Sequence, residues 1–442
     1  MKTLNHYIIS LLLIAAAIFG FTACSSEDPH EVEGGVAITL DNSRCSDVAI
    51  RQTQIFVYDT NGNLCGAYGY ADAYAVASAL LPLEAGNYTV AAVINADEAP
   101  TQIATLTALH EWVASQSDID TDLLSGIAEV GVTGNRVIRV SVPLDRGDFS
   151  LSVLSVSFSM PETSLPDFAP RQARTRASEA GYTLRCVVEL CKAGTDEVVL
   201  HKAITPELQE NGTYKAELQL FEGSYDFRLW ADHALADAPL ADAFYHTECL
   251  KAVTIFTELY AANIDAKDAA YGNENNITLP KDGASISTSL QRPLAKYRIV
   301  ANDVETYKKL MKLEPDNYPP LEDLTVTMLY EAFLPSEFNA KNGTVTDAIT
   351  GIGFSSKLTD TNINSKTLNI ASDWIFASTE SSVTATITVS DSKGNKVSSV
   401  SGVSIAYKQG YQTTISGKFL TAGVDVGGID IDTDWNEIII EF

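Results

Sequence analysis

Thr53-Gln54-Ile55-Phe56-Val57-Tyr58-Asp59-Thr60-Asn61-Gly62-Asn63 reads as a β-strand that runs into a tight turn. β-Branched and aromatic residues suit a pleated surface, and Asn61-Gly62 supplies the positive φ that a hairpin needs. The same grammar returns near the other end of the chain. There Val383, Ala385, Ile387 and Val389 alternate with Thr and Ser, then Asp391-Ser392-Lys393-Gly394-Asn395 leads into Val397. Gly86 precedes Asn87-Tyr88-Thr89-Val90-Ala91-Ala92-Val93, and Gly223 precedes Ser224-Tyr225-Asp226-Phe227-Arg228-Leu229-Trp230 in the same layout. Phe149, Leu151 and Val153 share one phase, whereas Val156, Phe158 and Met160 follow one register later. That shift predicts a β-bulge near Leu154. Helical patterning is confined to Thr105–Ala114 and Val304–Lys312. Period two therefore dominates, and the expected class is all-β with few short helices.

Two junctions divide the chain. Ile138-Arg139-Val140-Ser141-Val142-Pro143-Leu144-Asp145-Arg146 enters the apolar run that starts at Phe149. Ile286-Ser287-Thr288-Ser289-Leu290-Gln291-Arg292-Pro293 enters Leu294–Val300. Each ends a strand in Leu-x-Arg before a new strand begins. The expected units are 36–147, 148–292 with an inserted polar loop, and 293–442, each a two-sheet antiparallel β-sandwich. The alternative is a two-unit division in which 148 onward forms one long unit.

The chain of 442 residues carries 30 Lys+Arg against 57 Asp+Glu, a formal charge of −27. Such acidity opposes a nucleic-acid partner, whose phosphates call for a basic surface. At its start, Lys2 is followed by an apolar run from Ile8 to Phe21, shorter than the ~20 residues of a spanning helix. It reads as an export signal. Phe21-Thr22-Ala23-Cys24-Ser25-Ser26 places small residues before a cysteine and polar residues after it. This is the arrangement in which a thiol takes a diacylglycerol before cleavage. Residues 1–23 are then the lipoprotein signal peptide, Cys24 the lipidation site, and 24–35 an acidic tether. The partner this implies is outer-membrane lipid, held through acylation of Cys24. The expected location is the cell outer membrane, facing outward.

Five cysteines follow: Cys45, Cys65, Cys186, Cys191 and Cys249. Cys45 and Cys65 flank a strand and offer one disulfide pairing. Cys186 and Cys191 have C-x4-C spacing, but a metal knuckle would want a second such pair. Buried thiols of apolar strands are the expectation.

With the lipoprotein cysteine in place, Ile55–Asn63 and Glu84-Ala85-Gly86-Asn87-Tyr88-Thr89-Val90 resemble the fimbrial anchor and accessory lipoproteins of Bacteroidales. Arg292 to Val300 is similar to a domain-opening strand of that group. Phe227–His233, Ala266–Gly272 and Tyr330–Phe338 are similar to a second domain type of related surface lipoproteins. The resemblance covers most of 36–442 through dispersed strand patterns. It implies tandem transthyretin-like sandwiches, a noncatalytic role in anchoring or assembling a type V fimbrium, and fimbrial subunits as partners. Contacts would run through strand edges or grooves. The departure is Pro161 to Ala180, a polar segment unlike the compact anchor pattern. It holds Arg171, Arg174 and Arg176 in a composition that suits a protease-sensitive loop.

Catalytic patterns are missing. His110-Glu111-Trp112-Val113-Ala114 lacks the second histidine of a zinc protease, and there is no nucleophile elbow, phosphate loop or dinucleotide fingerprint. No enzyme activity and no cofactor are expected. Trp230-Ala231-Asp232-His233, with His246 beyond it, sets a carboxylate beside an imidazole. The expectation is a core Trp230 with Asp232 and His233 at the rim. Asp430, Asp432 and Asp434 share one face of Ile429–Trp435. They are weak metal candidates, because repulsion among them is relieved by solvent as readily as by calcium. The alternative function is a glycan-binding surface lipoprotein of a polysaccharide uptake system, stacking sugars on exposed aromatics such as Tyr68, Tyr70 and Tyr74.

Overall fold

A computed structural model describes residues 35–101, 103–117, 122–134, 136–146, 151–161, 181–423 and 438–441. Among these residues strands dominate, and most pair antiparallel.

In the N-terminal unit, Leu64–Tyr70, Thr53–Asp59, Gly86–Ile94 and Leu124–Val132 lie side by side. Consecutive residues of Thr53–Asp59 enter two different cores. Ile55 and Val57 pack with Val36, Ile38, Val90 and Val140, contributed in part by the strands Gly35–Asp41 and Val137–Asp145. Phe56 and Tyr58 pack with Leu109 and Val113 of the helix Leu106–Ser117. Both faces of the strand are covered, which is why Ile55-Phe56-Val57-Tyr58 is apolar without alternation. Gly35–Asp41 and Val137–Asp145 run parallel, one of four parallel pairings among the described strands.

Val198–Ile204 joins Leu124–Val132 at one register point, His201 opposite Val130. Through that contact the N-terminal sheet continues into Tyr182–Lys192, Gly223–Leu235 and Ala270–Leu279. A second sheet of Tyr214–Leu220, Ser152–Ser159 and Ala284–Ser289 encloses Leu154, Val156, Phe158, Leu190, Phe227 and Leu229 against it. The bulge predicted near Leu154 is not there. Ser152–Ser159 keeps unbroken register with Tyr214–Leu220, with Leu154, Val156 and Phe158 inward and Val153 42% exposed. Leu151 instead packs against the cluster around Phe56 and Phe221, so its apolarity answers a different surface.

In the C-terminal part, Leu294–Ala301 lies between Leu368–Phe376 and Tyr411–Gly417, and Ile438–Glu441 adds the outer strand. The opposing sheet contains Gly353–Lys357, Thr325–Tyr330, Ser381–Ser390 and Lys396–Tyr407. Their common core does not stop at Pro293. It takes in Val187, Trp230 and Tyr245 together with Tyr297, Phe338 and Phe376. A further small sheet crosses the same junction, pairing Val253 with Phe338. The junction at 147/148 lies outside the described residues.

The turn chemistry read from Asp59–Asn63 and Asp391–Asn395 is identical in the two hairpins. Asp59 Oδ1 accepts the amides of Asn61 and Asn63 at 2.8 Å each, and Asp391 Oδ1 accepts those of Lys393 and Asn395 at 2.8 Å each. Gly62 and Gly394 take φ of 77° and 83°, where a side chain is strained.

Candidate functional site

Of the residues singled out from sequence, Cys24, Arg171, Arg174, Arg176, Asp430, Asp432 and Asp434 lie outside the described residues. The five later cysteines are free thiols; Cys45, Cys186 and Cys191 are buried, Cys65 and Cys249 exposed. Cys45 and Cys65 thus form no disulfide. Tyr68 and Tyr70 pack against the N-terminal core, while Tyr74 is 82% exposed.

Asp232 corrects the rim assignment. It is fully buried on Gly223–Leu235, directly across from Arg185 on Tyr182–Lys192. Arg185 Nε and Nη2 donate to its two oxygens at 2.9 and 2.7 Å, and Trp230 Nε1 donates to Oδ2 at 3.2 Å. This two-bond fork satisfies a charge that could not otherwise be buried. A strand-to-strand partner 47 residues away is invisible to local pattern.

Arg185 also reaches the segment that follows. Its Nη1 donates to Asp242 Oδ1 at 2.7 Å and to Leu240 O at 3.1 Å. Thr247 Oγ1 donates to the same Asp242 oxygen at 2.7 Å, and the Thr247 amide donates to Oδ2 at 3.1 Å. Burial pushes the Asp242 carboxyl up to about 6; Arg185 opposes this and Glu248 adds to it. One oxygen of Asp242, a ring nitrogen of His246 and one oxygen of Glu248 lie within 4.8 Å of one another. His246 Nδ1 stands 3.6 Å from Glu248 Oε1, and the Phe256 ring packs 4.2 Å from the imidazole. The sequence signal was Asp242-Ala243-Phe244-Tyr245-His246-Thr247-Glu248, whose His-x-Glu step puts two ligand types on one face of an extended segment. His246 thus belongs with Asp242 and Glu248.

The cluster sits at a joint. Asp242 donates its amide to Thr133 O at 2.7 Å, and the hydroxyls of Thr247 and Thr133 lie 3.3 Å apart. His201 places its two ring nitrogens 3.2 Å from Gly131 O and 2.8 Å from Thr247 O.

A second ion cluster pairs Arg228 with Glu189 at 2.6 Å and with Asp196 at 3.0 Å; Asp196 also meets Lys251 and Lys341 at 2.6 and 3.0 Å. The bonds from Lys251 and Lys341 hold the Asp196 carboxyl well below its usual range. The third is also enclosed. Lys267 Nζ meets Asp373 Oδ1 at 2.7 Å, with both side chains at most 2% exposed. Asp373 Oδ2 accepts from Tyr330 at 2.8 Å and from Tyr260. Burial pushes the Lys267 ammonium down, against the pull of Asp373. Burial also raises Tyr260, Tyr297 and Tyr330. These groups satisfy one another inside the core, a structural arrangement rather than one that meets a substrate.

Fold and sites together define an all-β protein of stacked sheets whose charged clusters sit at the seams between them. Residues 150–441 match a family of unknown function, DUF6562, and the chain belongs to that family. No curated protein matches the sequence. Among solved structures, the chain is similar to the tip fimbrial protein Mfa3 from Porphyromonas gingivalis, at 10% identity and TM-score 0.30, covering 60% of this chain and 94% of that one. It is also similar to a fimbrial assembly protein from Parabacteroides distasonis, at 10% identity and TM-score 0.31, covering 66% and 98%. A third is the fimbrial anchor protein Mfa2 from Porphyromonas gingivalis, at 15% identity and TM-score 0.19, covering 45% and 78%.

Proposed function

We propose that this chain is a noncatalytic lipoprotein of the outer membrane, acylated on Cys24, that anchors a fimbrium or takes part in its assembly. The observation that carries the reading is an open strand edge behind a lipidation signal. Leu64–Tyr70 ends the long sheet and pairs with Thr53–Asp59 alone among the described strands; the Leu64 amide donates to Ala104 O at 3.2 Å, so the open stretch runs from Cys65 to Tyr70. Its sequence, Leu64-Cys65-Gly66-Ala67-Tyr68-Gly69-Tyr70, holds no charge and no proline. Natural edges usually carry such blocking residues, and an edge without them suits strand addition by a partner.

The test is co-purification of fimbrial subunits with the tagged full chain, alongside the Ala67→Lys variant. Ala67 is exposed, so the lysine should leave stability within about 0.5 kcal/mol of the parent and abolish capture. Failure to co-purify any subunit, with normal fimbriae in a deletion strain, would sink the reading. Palmitate labelling of the wild type but not of Cys24→Ala tests the anchor separately.

A further inference from the structure

We propose that Asp242, His246 and Glu248 bind a divalent transition-metal cation of the zinc class at the seam between the N-terminal and middle units. Glu248 supplies the first argument. Its side chain is only 6% exposed, and its Oε1 is buried without a hydrogen bond. His246 Nδ1 is likewise buried without one. The two atoms face each other at 3.6 Å, too long for a good hydrogen bond. It is close to the ~3.3 Å between ligands on a tetrahedral ion with bonds of about 2.0–2.1 Å. A buried polar atom left unpaired is costly, and a shared cation would satisfy both.

Gly134 supplies the second. A Cβ built there would lie 3.1 Å from Asp242 Oδ2 and 3.3 Å from Glu248 Oε1. The two carboxylates therefore direct oxygens toward one small space, closed on its far side by bare backbone from the N-terminal unit. Oδ1 of Asp242 is taken by Arg185 and the Thr247 hydroxyl, whereas Oδ2, which faces Gly134, accepts the Thr247 amide at 3.1 Å and keeps a second lone pair for the ion.

Charge is the third. One guanidinium, Arg185, serves Asp232 and Asp242, while Glu248 adds a further carboxylate beside Asp242. Counted as ions, three carboxylates face one cation, and a divalent ion cancels the excess. One imidazole with two carboxylates is a donor set for zinc and its neighbours, whereas calcium takes oxygen ligands. All three ligands come from 242–248, and the ion would sit against the Gly134 backbone of the N-terminal unit.

The full chain, purified without a histidine tag and freed of metal by chelation, is titrated calorimetrically with ZnCl2 and with CaCl2, and bound metal is counted after dialysis. One zinc per chain is expected, with a rise in melting temperature. Glu248→Gln keeps the side-chain shape while removing the charged ligand. His246→Ala removes the nitrogen. Each should weaken zinc at least about tenfold and erase the melting shift. Zinc uptake by the wild type requires no variant to fold, so absence of a one-to-one complex overturns the proposal. So does uptake that both variants retain, or calcium binding as tight as zinc.

Discussion

Lys267 and Asp373 are a charge pair that only its surroundings make affordable. Lys267→Met leaves the Asp373 carboxylate buried with hydroxyl donors from Tyr260 and Tyr330 and no cation. The expected loss is about 3–5 kcal/mol, read by urea unfolding. Lys267→Met combined with Asp373→Leu should recover much of that loss, because removing both charges also removes their desolvation. A double variant no more stable than the single one would refute this. Asp41 shows the opposite balance. Burial pushes its carboxyl up, but bonds from Lys192 and Ser43 outweigh this and hold it below the ordinary value. A depressed carboxyl contributes stability that is full above the unfolded-state value of about 4 and fades as pH falls through the lower folded value. Lys192 Nζ lies 2.9 Å from Asp41 but is 41% exposed, so solvent keeps the contribution below about 1 kcal/mol. Asp41→Asn should therefore melt below the parent at pH 7 and together with it near pH 2, as followed by circular dichroism.

At the scale of elements, the two hairpins share one glycine requirement. A Cβ at Gly394 meets nothing within 4 Å, so any cost of Gly394→Ala comes from the backbone at φ 83°. About 1 kcal/mol is expected, and Gly62→Ala should cost a similar amount; an unchanged urea midpoint in both would contradict the shared geometry. Ile438–Glu441 pairs Ile438 with Thr414 and Glu441 with Tyr411. Truncation before Ile438 would unpair the outer side of Tyr411–Gly417, and should lower the melting temperature and soluble yield. These elements were legible because turn and strand chemistry is local. Asp59–Asn63, Asp391–Asn395 and the helices at Leu106–Ser117 and Val304–Leu313 all follow from short windows. The parallel partner of Gly35–Asp41, about 100 residues on at Val137–Asp145, left no mark in either segment. The candidate metal site was half legible. Asp242, His246 and Glu248 share one short segment, but Gly134 meets them only through tertiary closure. Asp232 misled because a carboxylate near a strand end normally seeks water, and Arg185 lies far away in sequence.

For the whole molecule, the decisive feature is a core shared across Pro293. Trp230, from the middle unit, lies edge-on to Tyr245 at 5.4 Å and meets Phe338 and Phe376 at 6.2 Å each. The Lys267–Asp373 pair and the Asp196–Lys341 pair cross the same seam, as does the bond from Asn273 Nδ2 to Ala340 O at 3.0 Å. Separating the two units would expose the tryptophan face and strand an unpaired charge on each side. Neither half then offers a stable intermediate, and residues 181–423 should unfold in one transition. Trp230→Ala is expected to cost about 3–5 kcal/mol, as a large aromatic removed from a closed core. The diagnostic is where that loss appears. Native-state hydrogen exchange should show equal loss of protection in Tyr182–Lys192 of the middle unit and in Leu294–Ala301 and Leu368–Phe376 of the C-terminal unit, because one opening event exposes them all. Leu294–Ala301 keeping its full protection while Tyr182–Lys192 exchanges freely would mean two independent cores, and the seam would then be a contact surface between domains that fold alone.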